Sequence, residues 1–211
     1  MVSLTVDGVR IEVLEGTSLL EAARKASVKL PTLCAWEGRA RVGSCRVCVV
    51  EVKGAERLVA ACNAKVEEGM EVYTHTPRVM AARKTNVALI MSEHDAKCLS
   101  CAKNRKCELQ TLAETLGILE QPYTDELPIK FEHGGKRVII RNDQKCVKCL
   151  RCVKVCAEEK KLNVWQFVGS GKNARVTVVG GKRLEESACD FCGECVKVCP
   201  TAALIFGEEA K

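Results

Sequence analysis

Apolar and polar residues alternate through SLTV at 3–6 and RIEV at 10–13. A period of two predicts a pair of strands that each bury one face, and Asp7-Gly8 between them suits a type I′ hairpin turn, where both central residues need positive φ. The period then lengthens. In GTSLLEAARKA at 16–26, Thr17 or Ser18 is a candidate N-cap, and Leu19, Leu20, Ala22, Ala23 and Ala26 supply the apolar face of a short helix. After Pro31 the pattern predicts a cysteine-bearing loop, strands through VCVVEV and RLVAA joined by a turn at KGAE, and a last strand near MEVYT. A hairpin with a helix packed across a mixed sheet is a β-grasp pattern, expected over residues 1–77.

Thr76-Pro77 reads as an N-cap followed by Pro at the first helical position, where the missing N–H costs nothing. The helix it opens carries Val79, Met80, Val87, Ile90 and Met91 and runs towards His94. A second helix is expected from about Cys107, with Leu109, Leu112, Ala113 and Leu116 on one side and Gly117 near its end. These two make a small helical section over 78–118. Residues 119–136, with Pro122, Pro128 and a Gly pair, lack periodicity and read as a linker. In the last section, 137–211, CVKCLRCVKVC at 146–156 recurs about 43 residues later as CDFCGECVKVC at 189–199, and the apolar strands VWQFV and ARVTVVG lie between the copies. GSGK at 169–172 does not make a phosphate loop, because Gln166 stands where that pattern needs Gly. The class expected is α+β.

Composition sharpens this reading. The 211 residues include 15 Cys but only 4% aromatics. An odd cysteine count cannot pair fully, and MVSLTVDGVR lacks the charged-then-apolar run of a secretory leader, so metal rather than disulfide is the expected staple, in a reducing cytoplasm. No apolar run approaches a membrane span. The formal charge of +6 is dispersed among acidic residues, which argues against nucleic acid, and thiolate-bound clusters of about −2 each would offset it.

The repeat C-x2-C-x2-C-x3-C is the bacterial ferredoxin run, in which the fourth cysteine crosses to the other cluster. One 4Fe-4S cluster is therefore expected on Cys146, Cys149, Cys152 and Cys199, and another on Cys156, Cys189, Cys192 and Cys195. Cys34, Cys45, Cys48 and Cys62 suit a 2Fe-2S cluster, although ten residues separate Cys34 from Cys45 where the plant-type pattern has four. Gly43-Ser44 beside Cys45 fits a loop whose backbone closely approaches sulfide. Cys98, Cys101 and Cys107 remain, one ligand short. His94, one helical turn before Cys98, is assigned as the fourth ligand of a third 4Fe-4S cluster, since imidazole can replace thiolate on iron. His75 and His133 have no such neighbours and read as ordinary surface or core residues. The competing chemistry is zinc, which would make the chain a stapled interaction scaffold.

With these sets in place, PTLC at 31–34, GSCRVCVVEV at 43–52, CELQ at 107–110 and CPTAAL at 199–204 are similar to motifs of a known family. The chain resembles the N-terminal module of the large iron-sulfur subunit of respiratory complex I, of FeFe-type hydrogenases and of some NAD-linked formate dehydrogenases. It resembles best the stand-alone diaphorase-type iron-sulfur subunit of NAD(P)-linked NiFe hydrogenases, since no cysteine follows Cys199 to serve an FeFe or molybdopterin domain. The resemblance implies one 2Fe-2S and three 4Fe-4S clusters on the sixteen residues named above. It also implies a relay without an active site of its own, joining a flavin-containing NAD(P)H-oxidising partner to a hydrogenase or formate dehydrogenase. In bifurcating relatives, ferredoxin is a further partner.

Overall fold

A computed structural model describes residues 1–36, 42–120, 123 and 139–207. Most of the expected linker, including Pro122 and Pro128, and His133 lie outside the described residues. The chain divides into two compact units, Met1–Ala88 with Leu112–Leu119, and Leu89–Thr111 with Glu120–Lys211.

The first unit opens with β1 (Val2–Val6) and β2 (Val9–Val13), paired antiparallel with Val6 opposite Val9. Asp7 and Gly8 both have positive φ, as the turn requires. Helix α1 (Leu19–Lys25) starts from Ser18, whose hydroxyl accepts from the Glu21 amide while Glu21 reaches back to the Ser18 amide. This reciprocal cap settles the choice between Thr17 and Ser18. Strands β3 (Val49–Val52), β4 (Val59–Ala60) and β5 (Glu71–Tyr73) complete a mixed sheet in the order β2-β1-β5-β3-β4, with β1 and β5 parallel. Leu4, Val6, Val50 and Val72 from the sheet, and Leu19, Leu20, Ala22 and Ala23 from α1, form the core together with Cys48 and Cys62. Asp7 also anchors β5: its carboxylate accepts from the amide of buried Thr74 at 2.7 Å and lies 3.7 Å from His75 Nδ1.

Helix α2 (Pro77–Ser92) begins as expected, with Thr76 Oγ1 accepting from the Val79 amide. Its buried face differs from the apolar list: Met80, Ile90 and Met91 are only half-buried, while Arg83 is buried and donates to the Val49 carbonyl at 2.8 Å. A cation that donates to a backbone carbonyl at the start of β3 serves a buried acceptor, which hydrophobic periodicity cannot register. Helix α3 (Glu108–Thr115) follows Cys107 and closes at Gly117, whose φ of 60° lets the Ile118 amide return to the Ala113 carbonyl.

The second unit contains β6 (Ile139–Arg141), helix α4 (Arg151–Glu158), the hairpin β7 (Trp165–Val168) and β8 (Arg175–Val178), the single turn α5 (Glu194–Lys197) and β9 (Leu204–Phe206). β6 and β9 pair antiparallel, Ile139 opposite Phe206, and so bring the two ends of the repeat together.

Candidate iron-sulfur centres

In the first unit, buried Cys34, Cys45, Cys48 and Cys62 come from the loops around β3 and β4, with Cys45 Sγ 3.4 Å from Cys34 Sγ. Hydrogen bonds from Cys45 and Cys62 push the Cys34 thiol down, and the same contacts push Cys45 and Cys62 up; Cys48 falls to about 7, chiefly through its contact with Cys62. Four thiols that share their protons give those protons up together when a cation replaces them. The amides of Cys45 and Gly43 also face the Cys34 sulfur. Gly43 also meets a steric demand: at φ +71° a Cβ would come 2.3 Å from Asn63 Nδ2, and Asn63 Oδ1 takes the Cys62 thiol at 3.5 Å.

In the second unit, Cys98 and Cys101 flank a single turn and Cys107 sits just before α3. Burial raises the Cys107 thiol, against hydrogen bonds from the Gln110 and Leu109 amides, and the charges of Cys101 and Cys98 reach it as well. His94 has its ordinary basicity lowered to about 4, by burial first and then by the Lys145 ammonium; a ring contact with the Lys145 carbonyl acts the other way. Its Nδ1 is buried without a hydrogen-bond partner. A neutral ring with an orphaned nitrogen is what a ligand needs before its metal arrives. Three partly hidden salt bridges tie this stretch to the ferredoxin repeat: Lys145 to Asp95 at 3.3 Å, Lys148 to Glu93, and Arg151 to Glu108 through two contacts of 2.6 and 2.7 Å.

The repeat itself forms two cavities. One is lined by Cys146, Cys149, Cys152 and Cys199, and the other by Cys156, Cys189, Cys192 and Cys195, so each draws three cysteines from one copy and one from the other. Their empty space, which includes open solvent, is about 360 and 290 Å³. Lys148 and Leu150 in the first copy, and Phe191 and Gly193 at the matching places in the second, all have positive φ. Such left-handed turns aim successive amides inward, a concavity suited to an anionic group. Burial raises Cys149 and Cys195 to about 12, and raises Cys152 well above its ordinary value. Thiols this unwilling to ionise alone become thiolates when iron supplies the compensating charge. Among the described residues, no three His, Cys, Asp or Glu side chains close around the position of a single ion.

Sequence reasoning missed Arg141, Lys145, Arg151 and Trp165. Each is buried, and the indole of Trp165 hydrogen-bonds Cys195. The one signal in the chain is a cation at the end of an apolar run, as in VII-Arg141.

Three family models match in chain order: a 2Fe-2S iron-sulfur cluster binding domain over residues 1–77, the NADH-ubiquinone oxidoreductase-G iron-sulfur binding region over 83–122, and the ferredoxin-like domain of NADH-quinone oxidoreductase subunit 3 over 136–205. The NADP-reducing hydrogenase subunit HndD of Solidesulfovibrio fructosivorans is 40% identical over 97% of this chain. Part by part, the chain is similar to the iron-sulfur domains of NADH-quinone oxidoreductases, and along its length it resembles the iron-sulfur module of NAD(P)-reducing hydrogenases. The module spans 36% of the length of HndD, and 86% of the NAD-reducing hydrogenase HoxS subunit gamma of Cupriavidus necator, to which it is 25% identical. It superposes with a TM-score of 0.91 on a chain of an NAD+-reducing [NiFe]-hydrogenase in the H2-reduced state, at 26% identity, covering 98% of this chain and 88% of that one. The module thus combines a 2Fe-2S ferredoxin domain with 4Fe-4S ferredoxin-like domains. No helix among the described residues is long and apolar enough to cross a membrane.

Proposed function

We propose that the module is an electron relay holding one 2Fe-2S and three 4Fe-4S clusters. The first cluster is assigned to Cys34, Cys45, Cys48 and Cys62, and the others to His94 with Cys98, Cys101 and Cys107, to Cys146, Cys149, Cys152 and Cys199, and to Cys156, Cys189, Cys192 and Cys195. The observation that carries this reading is the pair of cavities, each lined by four cysteines in the crossed arrangement. When bound, the clusters supply one-electron chemistry; the chain's part is to hold, bury and hydrogen-bond them. Buried thiols keep water from the sulfurs, inward amides favour the thiolate charge, and the Lys145 carbonyl orients the His94 ring. In the proposed setting the electrons pass between a flavin-containing subunit that oxidises NAD(P)H and a hydrogenase in the cytoplasm; HndD and HoxS subunit gamma, named for such hydrogenases, support it. The domain limits proposed are 1–77, 78–118 and 137–211 around a linker at 119–136.

The crossed ligation is tested by replacement. Cys199→Ala and Cys146→Ala are expected to remove the same EPR signal, and Cys156→Ala and Cys189→Ala the other. Loss of one signal in both Cys146→Ala and Cys156→Ala, with the second signal intact, would contradict it. Reduction of the clusters by NAD(P)H should require the flavin-containing partner.

A further inference from the structure

The two halves of the repeat place like cysteines in unlike electrostatic surroundings. Their backbones match: the amides of Lys148 and Arg151 face Cys146 and Cys149, and at equivalent places those of Phe191 and Glu194 face Cys189 and Cys192. These donors are common to the two sites and so do not by themselves distinguish them. The side chains do not match. Val147 corresponds to Asp190, and Arg151 to Glu194, so the second copy carries acid where the first carries an apolar residue or a cation.

The cavities show the consequence. Among the described residues, the Cys146 cavity is lined by one charged side chain, Arg141, and by no acid. The Cys156 cavity is lined by Asp190 and Glu194 against Lys160. Arg141 is 5% exposed and held by three groups: Nε donates to Asp143 Oδ1 at 2.6 Å, Nη2 reaches the same carboxylate and the Val176 carbonyl, and the guanidinium lies 5.2 Å over the Trp165 ring. Asp143 is absent from the cavity lining, so the positive end of this pair is the end presented. At the other site, Glu194 is partnered by Lys197 at 2.7 Å, but Lys197 is exposed and lies outside the cavity lining. The Trp165 indole bond to Cys195 opposes the acids there as a single neutral donor. A buried cation favours the reduced, more negative state of a neighbouring cluster, and buried acid disfavours it.

We propose that the two halves of the repeat hold clusters of unequal potential, and that Arg141 is the positioning residue that makes the Cys146, Cys149, Cys152 and Cys199 site the better electron acceptor. The inference rests on the cluster assignment above. A single electron shared between the sites then rests on the first, with no proton or bond change required.

EPR-monitored redox titration of the purified, cluster-loaded chain tests it. The two ferredoxin-type signals are expected at different midpoints. Arg141→Met should lower the upper midpoint and leave the lower one in place, and Arg141→Lys should retain most of the gap. Asp143→Asn, which keeps Arg141 but removes its counter-charge, should move the same midpoint upward, giving a second reading if Arg141→Met fails to fold. Asp190→Asn with Glu194→Gln should raise the lower midpoint and narrow the gap. Equal midpoints in the wild type, or a gap unmoved by all these changes, would overturn the inference while leaving the clusters assigned. A wild-type chain with no 4Fe-4S signals would instead strike the assignment, and the inference with it.

Discussion

His94 concentrates the chemistry of the residue scale. Folding hides a ring whose ordinary value is near 6.5 and brings it to about 4. In that window the unfolded chain takes up a proton that the folded chain does not, so stability falls as the pH drops below 6.5. For the metal-free chain the loss between pH 7 and pH 5 is about 2 kcal/mol at 1.36 kcal/mol per pKa unit. Urea unfolding at the two pH values checks this, and His94→Leu should flatten the difference; an unchanged difference would contradict it. With iron bound, a neutral ligand leaves the cluster about one unit more positive than four thiolates would. His94→Cys is therefore expected to lower that cluster's midpoint, and a titration showing no shift or a rise would count against the charge argument. His94 could be singled out in the sequence because three cysteines lacked a fourth partner. Arg141 could not, because its role depends on Asp143, Val176 and Trp165, and the last two are far from it along the chain.

At the scale of elements, legibility follows locality. The Asp7-Gly8 turn, the Ser18 and Thr76 caps and the Gly117 stop were all open to reading, because each is decided by residues within a few positions. The β6 and β9 strands were not, since three-residue strands paired across most of the last section carry no periodicity of their own. That pairing has a testable consequence at α5. Gly193, at φ +74°, has the Phe206 ring of β9 only 2.5 Å from where a Cβ would stand. Gly193→Ala should destabilise the second unit by about 1–3 kcal/mol, from left-handed strain and the collision together. A denaturation midpoint restored in part by adding Phe206→Ala would separate the two causes, and no loss in the single variant would contradict the packing. The matching place in the first copy carries Leu150, where a side chain is accommodated at φ 62°.

For the whole molecule, cysteine spacing singled out the two groups of four that line the paired cavities, and the surroundings of the sulfurs hold what spacing cannot give: buried cations and inward amides. The formal charge of +6 takes its place in the same account, since three four-thiolate clusters of about −2 each and a His94-ligated one of about −1 would bring the loaded chain near neutrality. The isoelectric point of the loaded chain should accordingly lie below that of the metal-free chain, and isoelectric focusing of the two forms, with identical positions as the contrary result, checks it. The most direct test of the central claim is the iron, acid-labile sulfide and zinc content per chain of protein purified without oxygen. One 2Fe-2S and three 4Fe-4S clusters require about 14 iron and as many sulfides. Three or four zinc ions with no iron would contradict the relay.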